Sequence, residues 1–173
     1  IRSKNKNFIN LCLNSELSSE ITLQPIKRFD LDSAIIFSDI LIVPYALGQE
    51  ISFTKNDGPK LSPLNIESLF NNKKKDFSNK LSPIYKAIEI TRKKLKKNKS
   101  LICFIGAPWT LLIYMLGLKT NDQKLDLERF NIYKPQIKKI LNEITEYLCI
   151  HVKNQINAGA DVCLLYTSPS PRD

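Results

Sequence analysis

Leu101-Ile102-Cys103-Phe104-Ile105 runs straight into Gly106-Ala107-Pro108-Trp109-Thr110. Five apolar side chains without alternation suit a strand buried on both faces, as in a parallel sheet, and the Gly-Ala-Pro that follows stops it. A short helix through Tyr114 and Met115 comes next. Upstream, Ser33-Ala34-Ile35-Ile36-Phe37-Ser38-Asp39-Ile40-Leu41 has the same mostly apolar, β-branched character. Downstream, Asp161-Val162-Cys163-Leu164-Leu165-Tyr166 reads on pattern alone as a third strand. Between these strands lie helices. Ser82-Pro83 signals a helix start, with Ser82 as N-cap and Ile84, Ala87, Ile88, Thr91 and Leu95 along one face. Lys134 to Ala158 carries Ile137, Ile140, Leu141, Ile144 and Leu148 at spacings of three and four. Ahead of the first strand, Asn14 is expected to cap a helix that Pro25 ends or kinks. Glu50 to Thr54 alternates before Asn56-Asp57-Gly58, which suggests a small hairpin inserted after the first strand. Strands alternating with helices imply a parallel α/β sheet, and three such strands leave open edges.

The chain has 173 residues, 43% hydrophobic and 25% charged, with 26 basic and 17 acidic side chains. That composition excludes a disordered tail, and no run reaches the ~18–20 apolar residues of a membrane span. The net charge of +9 is local. Residues 73–99 hold ten lysines and Arg92 against Asp76 and Glu89, so the rest of the chain is neutral overall. Such a cluster is compatible with a nucleic-acid or anionic-membrane partner, but a solvated helix face is the preferred reading. Only five of the 26 basic residues are arginine, the residue bidentate phosphate recognition favours.

Cys12, Cys103, Cys149 and Cys163 are widely spaced and form no C-x-x-C pair, and His151 is the one histidine. No metal is expected, and all four thiols are read as core fillers of a reducing, cytoplasmic compartment. The chain starts at Ile1, its one methionine is Met115, and it ends in the Ser/Pro run Thr167 to Asp173. It is therefore expected to be a piece of a longer protein.

Two residues stand out chemically. Asp39 is an acid among apolar neighbours, costly to bury unless paired or binding something, and it falls at the C-terminal end of a strand where α/β folds bind ligands. A structural aspartate and a catalytic one are both open on this ground alone. Tyr114 lies one helical turn beyond the Gly106-to-Thr110 loop, and Trp109 alone is read as core packing.

Taken in order, Leu23-Gln24-Pro25-Ile26-Lys27-Arg28-Phe29, Ala34 to Leu41, Ala46-Leu47-Gly48, Gly58-Pro59 and Gly106 to Thr110 with Tyr114-Met115 resemble the uroporphyrinogen decarboxylase family. The resemblance runs to about Ala160. It implies α/β architecture as a partial (β/α)8 TIM barrel: the first two to three strands, their helices and a small hairpin insertion, out of a barrel of about 250 residues or more. It further implies decarboxylation of the four acetate side chains of uroporphyrinogen III to give coproporphyrinogen III in haem and porphyrin biosynthesis. The family acts as a cytoplasmic homodimer without metal or organic cofactor. Asp39 matches the aspartate that accepts the pyrrole N–H groups, and Tyr114 matches the tyrosine that contacts a substrate carboxylate. Phe104, Ile35 and Phe53 fall at apolar positions.

Departures are equally definite. The family's Met-Arg-Gln-Ala-Gly-Arg-Tyr motif would precede Ile1 and its late histidine would follow Asp173, so the chain by itself is expected to be inactive. Residues 1–162 are read as the N-terminal part of one decarboxylase barrel domain and 163–173 as a non-native tail, with no role given to Ser168. The alternatives are a related barrel methyltransferase and a basic nucleic-acid-binding module using residues 73–99; neither nucleic acid nor membrane is the expected partner.

Overall fold

The computed structural model describes residues 7–54, 58–118 and 124–167. Two short-range caps start it. Asn7 Oδ1 accepts from the Asn10 N–H ahead of α1 (Phe8–Cys12), and Asn14 Oδ1 accepts from Leu17 N–H at 3.1 Å ahead of α2 (Ser15–Phe29). Pro25 does not end α2, which runs on to Phe29 and closes on Asp30 in the left-handed region at φ 47°. The chain then forms β1 (Ser33–Ile35), α3 (Ile42–Ala46) and the antiparallel hairpin β2 (Ile51–Thr54) with β3 (Gly58–Leu61). The hairpin is the expected one; its turn at Asn56-Asp57 and the side chain of Phe53 lie outside the described residues. After α4 (Ile66–Asn71), α5 (Lys74–Lys94) leads into β4 (Ser100–Gly106). Then α6 (Pro108–Leu116), α7 (Leu127–Tyr133) and α8 (Ile137–Asn157) lead to β5 (Val162–Tyr166).

β1, β4 and β5 form one parallel sheet in the order β1-β4-β5, with Ile35 opposite Ile102 and Cys103 opposite Cys163. Side chains on paired parallel strands share a face, so Ala34, Leu101, Cys103 and Ile105 point one way and Ile35, Ile102, Phe104 and Leu164 the other. The first face is covered by α2, α5 and α8. There Phe77, Leu81, Ile84 and Ile88 of α5 meet Ile140, Ile144 and Tyr147 of α8 over β4. Phe77 and Tyr147 sit 4.8 Å apart, ring centre to ring centre. Burial on both faces, expected from the unbroken apolar runs, is not what the sheet has. Its second face is bare among the described residues, with Ile35 60% and Leu164 55% exposed.

Three further expectations change. β1 stops at Ile35, not Leu41, because the chain leaves β4 after Ile36 and turns toward α3. The long basic helix begins at Lys74, eight residues before Ser82, and carries Pro83 in its interior. Proline has no N–H for the carbonyl four residues back, and Ser82 Oγ supplies the missing donor to Asn79 O at 2.8 Å. The lysine cluster is a solvated face except at its end. Lys99 is buried, its Nζ donating to the carbonyls of Asp30 (3.2 Å) and Leu31 (2.7 Å) and pairing with the Asp30 carboxylate. Arg92 donates to the carbonyls of Leu95, Lys96 and Lys99, closing the end of α5, and reaches Asp161 Oδ2 at 2.7 Å. A Cβ at Gly159, whose φ is +110°, would stand 2.9 Å from Arg92 Cγ.

Between α5 and α8 lies His151. Its Nε2 is 2.8 Å from Gln155 Nε2, which also donates to Phe104 O, and its Nδ1 is 2.9 Å from Tyr85 Oη. An amide NH2 only donates, so Nε2 accepts and Nδ1 carries the proton toward Tyr85. Burial holds the ring neutral, with its pKa pushed down to about 3. Cys12 and Cys103 are buried as expected, and burial pushes the Cys103 thiol up to about 12; Cys149 instead faces solvent, because it lies two residues from His151 on the opposite side of α8. No described helix is long and apolar enough to cross a membrane.

Candidate active site

The C-terminal ends of all three parallel strands open onto one cleft of about 390 Å³. Asp39 enters it from the loop after β1, Phe104 from β4, Leu164 and Tyr166 from β5, and Tyr114 from α6. The structure thus brings Asp39 and Tyr114, 75 positions apart in the sequence, to one wall-and-floor arrangement.

α6 is aimed by its own start. Gly106 ends β4 where a Cβ would meet Leu111 Cδ2 at 2.8 Å and Ile40 Cβ at 3.2 Å, so only glycine lets the Asp39 loop and α6 approach this closely. Pro108 occupies the first turn of α6, where a missing N–H costs nothing. Gly117, at φ 59°, closes the helix in the left-handed region. Trp109, expected in the core, is 45% exposed and packs edge-on against Phe130 of α7 at 6.2 Å; it does not line the cleft.

The electrostatics of the cleft are one-sided. Asp39 Oδ1 accepts the Leu41 N–H at 2.8 Å, and among the described residues no lysine or arginine pairs with the carboxylate. Burial raises its pKa above the usual aspartate value, partly offset by that one hydrogen bond. Tyr114 is raised as well, first by burial, then by Tyr166 and by the charge of Asp39. Beside Asp39, Ser38 Oγ is buried with no partner among the described residues. Phe104 and Leu164 give the cleft apolar walls. Chemically this is a place where an anion waits in a low-dielectric surrounding for a ligand that carries N–H groups or positive charge. No group of three or more His, Cys, Asp or Glu able to hold a metal occurs among the described residues.

The sequence reading did not single out Ser18 and Thr22, two buried hydroxyls on α2 that bond to the backbone just ahead of Asp39. Their signal was present: polar residues at i and i+4 on the face of α2 that also carries Leu23. Gly106 was read as punctuation, and its close approach to Ile40 is visible only in three dimensions.

The family model described as uroporphyrinogen decarboxylase (URO-D) matches residues 1–170. Curated relatives named uroporphyrinogen decarboxylase include one from Rickettsia felis, 42% identical over 97% of this chain and 49% of its own length. One from Orientia tsutsugamushi is 43% identical over 97% of this chain and 49% of its own length, and one from Brucella ovis is 34% identical over 96% and 49%. The chain spans about half the length of the curated relatives it matches. Among solved structures, a methyltransferase from Methanosarcina mazei superposes with a TM-score of 0.70 over 90% of this chain and 46% of that one, at 20% identity. That likeness shows the fold alone: an α/β chain forming part of a (β/α)8 barrel. With a family model matched along nearly its whole length, this chain belongs to the uroporphyrinogen decarboxylase family.

Proposed function

We propose that the protein carrying this chain removes the carboxyl groups of the four acetate side chains of uroporphyrinogen III, giving coproporphyrinogen III and carbon dioxide. The observation that carries this is Asp39: a carboxylate half-buried in an apolar cleft, held by one backbone N–H and by no counter-cation among the described residues. A tetrapyrrole presents what that anion lacks. Its pyrrole N–H groups donate to the free carboxylate lone pairs. When a proton is added to the pyrrole ring carbon next to the acetate, the ring becomes cationic. The bond to the carboxylate carbon then breaks, its electron pair enters the ring, and CO2 leaves. Protonation of the remaining methylene carbon and loss of the proton first added complete the methyl group. An anion fixed beside the developing cation lowers the barrier without reorganising, worth about 3–4 kcal/mol for a well-placed group. Tyr114 is assigned to a substrate carboxylate, and Phe104 to an apolar ring edge.

The ring itself is the electron sink, so the reaction calls for no metal or organic cofactor. The intact protein is assigned to the cytoplasm as a homodimer. Residues 1–162 are assigned to the decarboxylase barrel and 163–173 to a foreign tail, which resequencing the gene across position 162 tests. The catalytic test uses the full-length protein carrying this sequence and measures CO2 release from uroporphyrinogen. Asp39→Asn keeps the shape and the acceptor for Leu41 N–H but removes the charge. Wild-type turnover in that variant would sink the role given to Asp39.

A further inference from the structure

Asp39 lies on backbone that the sheet does not hold. β1 pairs with β4 only from Ser33 to Ile35, and the last link is Ile36 N–H to Ile102 O at 3.0 Å. One residue later, both polar groups of the Phe37 backbone turn to α2. The Phe37 N–H donates to Thr22 Oγ1 at 2.8 Å, and the Phe37 carbonyl accepts from Ser18 Oγ at 2.7 Å. Thr22 Oγ1 donates its own proton to Ser18 O at 2.8 Å, which leaves a lone pair for the Phe37 N–H. α2 is in turn tied to α5, by Thr91 Oγ1 to Ser19 Oγ at 3.0 Å and by Ser15 Oγ to Pro83 O at 2.8 Å. On the other side, Asp39 Oδ1 holds Leu41 N–H. Asp39 thus sits two residues past one clamp and two residues before the next.

We propose that Thr22 and Ser18 are positioning residues that set where the Asp39 carboxylate stands in the cleft. This rests on the decarboxylase reading of Asp39. Both hydroxyls are buried in a helix, where serine and threonine are poor formers, and alanine or valine would pack there without a polar group to satisfy. What the hydroxyls do that a methyl cannot is replace the sheet partners that Phe37 has lost. Without them a part-buried peptide group loses both its partners, and the loop shifts to reach water. A shift of the carboxylate matters most in the transition state, where the ring is cationic, and less for the resting substrate.

The test uses the full-length protein with Thr22→Val, Thr22→Ser and Ser18→Ala. Thr22→Val should lower kcat for CO2 release about 10- to 100-fold, the size expected for a misplacement of about 1 Å, while KM stays within about threefold. Thr22→Ser, which restores the hydroxyl, should return kcat to within about threefold of wild type. In amide hydrogen exchange, Leu41 should lose protection in Thr22→Val while Ile144 in α8 keeps it. Normal kcat together with normal Leu41 protection in folded Thr22→Val would overturn the proposal, as would failure of Thr22→Ser to rescue. If Thr22→Val does not fold, Ser18→Ala carries the test, with the same direction and a smaller drop in kcat. Wild-type kcat and Leu41 protection there also overturn it. Should the wild-type protein release no CO2, the decarboxylase reading falls, and Leu41 protection still decides whether the hydroxyls place Asp39.

Discussion

At the N-terminal ends of the strands, Asp161 accepts from Arg92 and from the Leu101 N–H, each at 2.7 Å, and Lys99 pairs with Asp30 while donating to two carbonyls. At the C-terminal ends, Asp39 has the Leu41 N–H and Ser38 Oγ has nothing among the described residues. One end of the sheet spends its charges on closing α2 and α5; the other leaves a charge short of partners. Charges that answer one another hold a fold together, and a charge left short is available to a ligand.

This contrast can be broken from either end. The largest effect is expected at the open end: Asp39→Asn should cut kcat about 100- to 1,000-fold while leaving the melting temperature unchanged or raised, since the removed charge was costly to bury. Steady-state kinetics beside a thermal melt reads both. Next comes the layer between the two ends. The folded pKa of His151, about 3, lies below the unfolded value near 6.5, so its contribution to stability is complete above pH 6.5 and drains away as pH falls toward 3. Urea unfolding at several pH values between 6.5 and 5 should show a loss that steepens from about 0.7 toward about 1.4 kcal/mol per pH unit and that His151→Gln abolishes.

At the closed end, Asp161→Ala should lower stability by about 1–2 kcal/mol, with kcat of the folded protein unchanged. The estimate is modest because the Asp161 side chain is 48% exposed. A kcat loss in Asp161→Ala larger than its stability loss would erase the distinction between the ends. Ser38→Ala should do least. Removing a hydroxyl that has no partner among the described residues leaves stability within about 0.5 kcal/mol of wild type or raises it.

What the sequence made legible is what local chemistry decides. Leu101 to Ile105 is a strand because five apolar residues end at a glycine that cannot carry a side chain there, and Asn14 caps a helix because its carboxamide reaches Leu17. Asp39 could be singled out because an acid among apolar residues is conspicuous in one dimension. Pro83 misled because its own turn is only part of the environment that tolerates it. Pro83 is tolerated because Ser82 supplies a donor to Asn79 and α5 is packed along its length against α2 and α8, an environment no window of sequence displays. The bare face was illegible because an unbroken apolar run states that a surface wants cover and says nothing of which strands provide it. Lys99 looked like one more lysine in a cluster, and only its distance from the Leu31 carbonyl separates it from the solvated nine. Ser18 and Thr22 were passed over because their partner, Phe37, lies 19 and 15 residues away.

Gly159 and Arg92 carry a consequence of a different kind. A side chain at 159 is barred twice, by a φ of +110° and by Arg92 Cγ standing 2.9 Å from where its Cβ would go. Shortening residue 92 opens the space but takes a donor from three carbonyls and leaves the Asp161 carboxylate with the Leu101 N–H. Neither position can drift alone without a loss the other does not repair. Across lineages the pair should therefore be inherited as a single unit, with Asp161 as its third member, and a descendant that replaces one is expected to have rebuilt the whole corner.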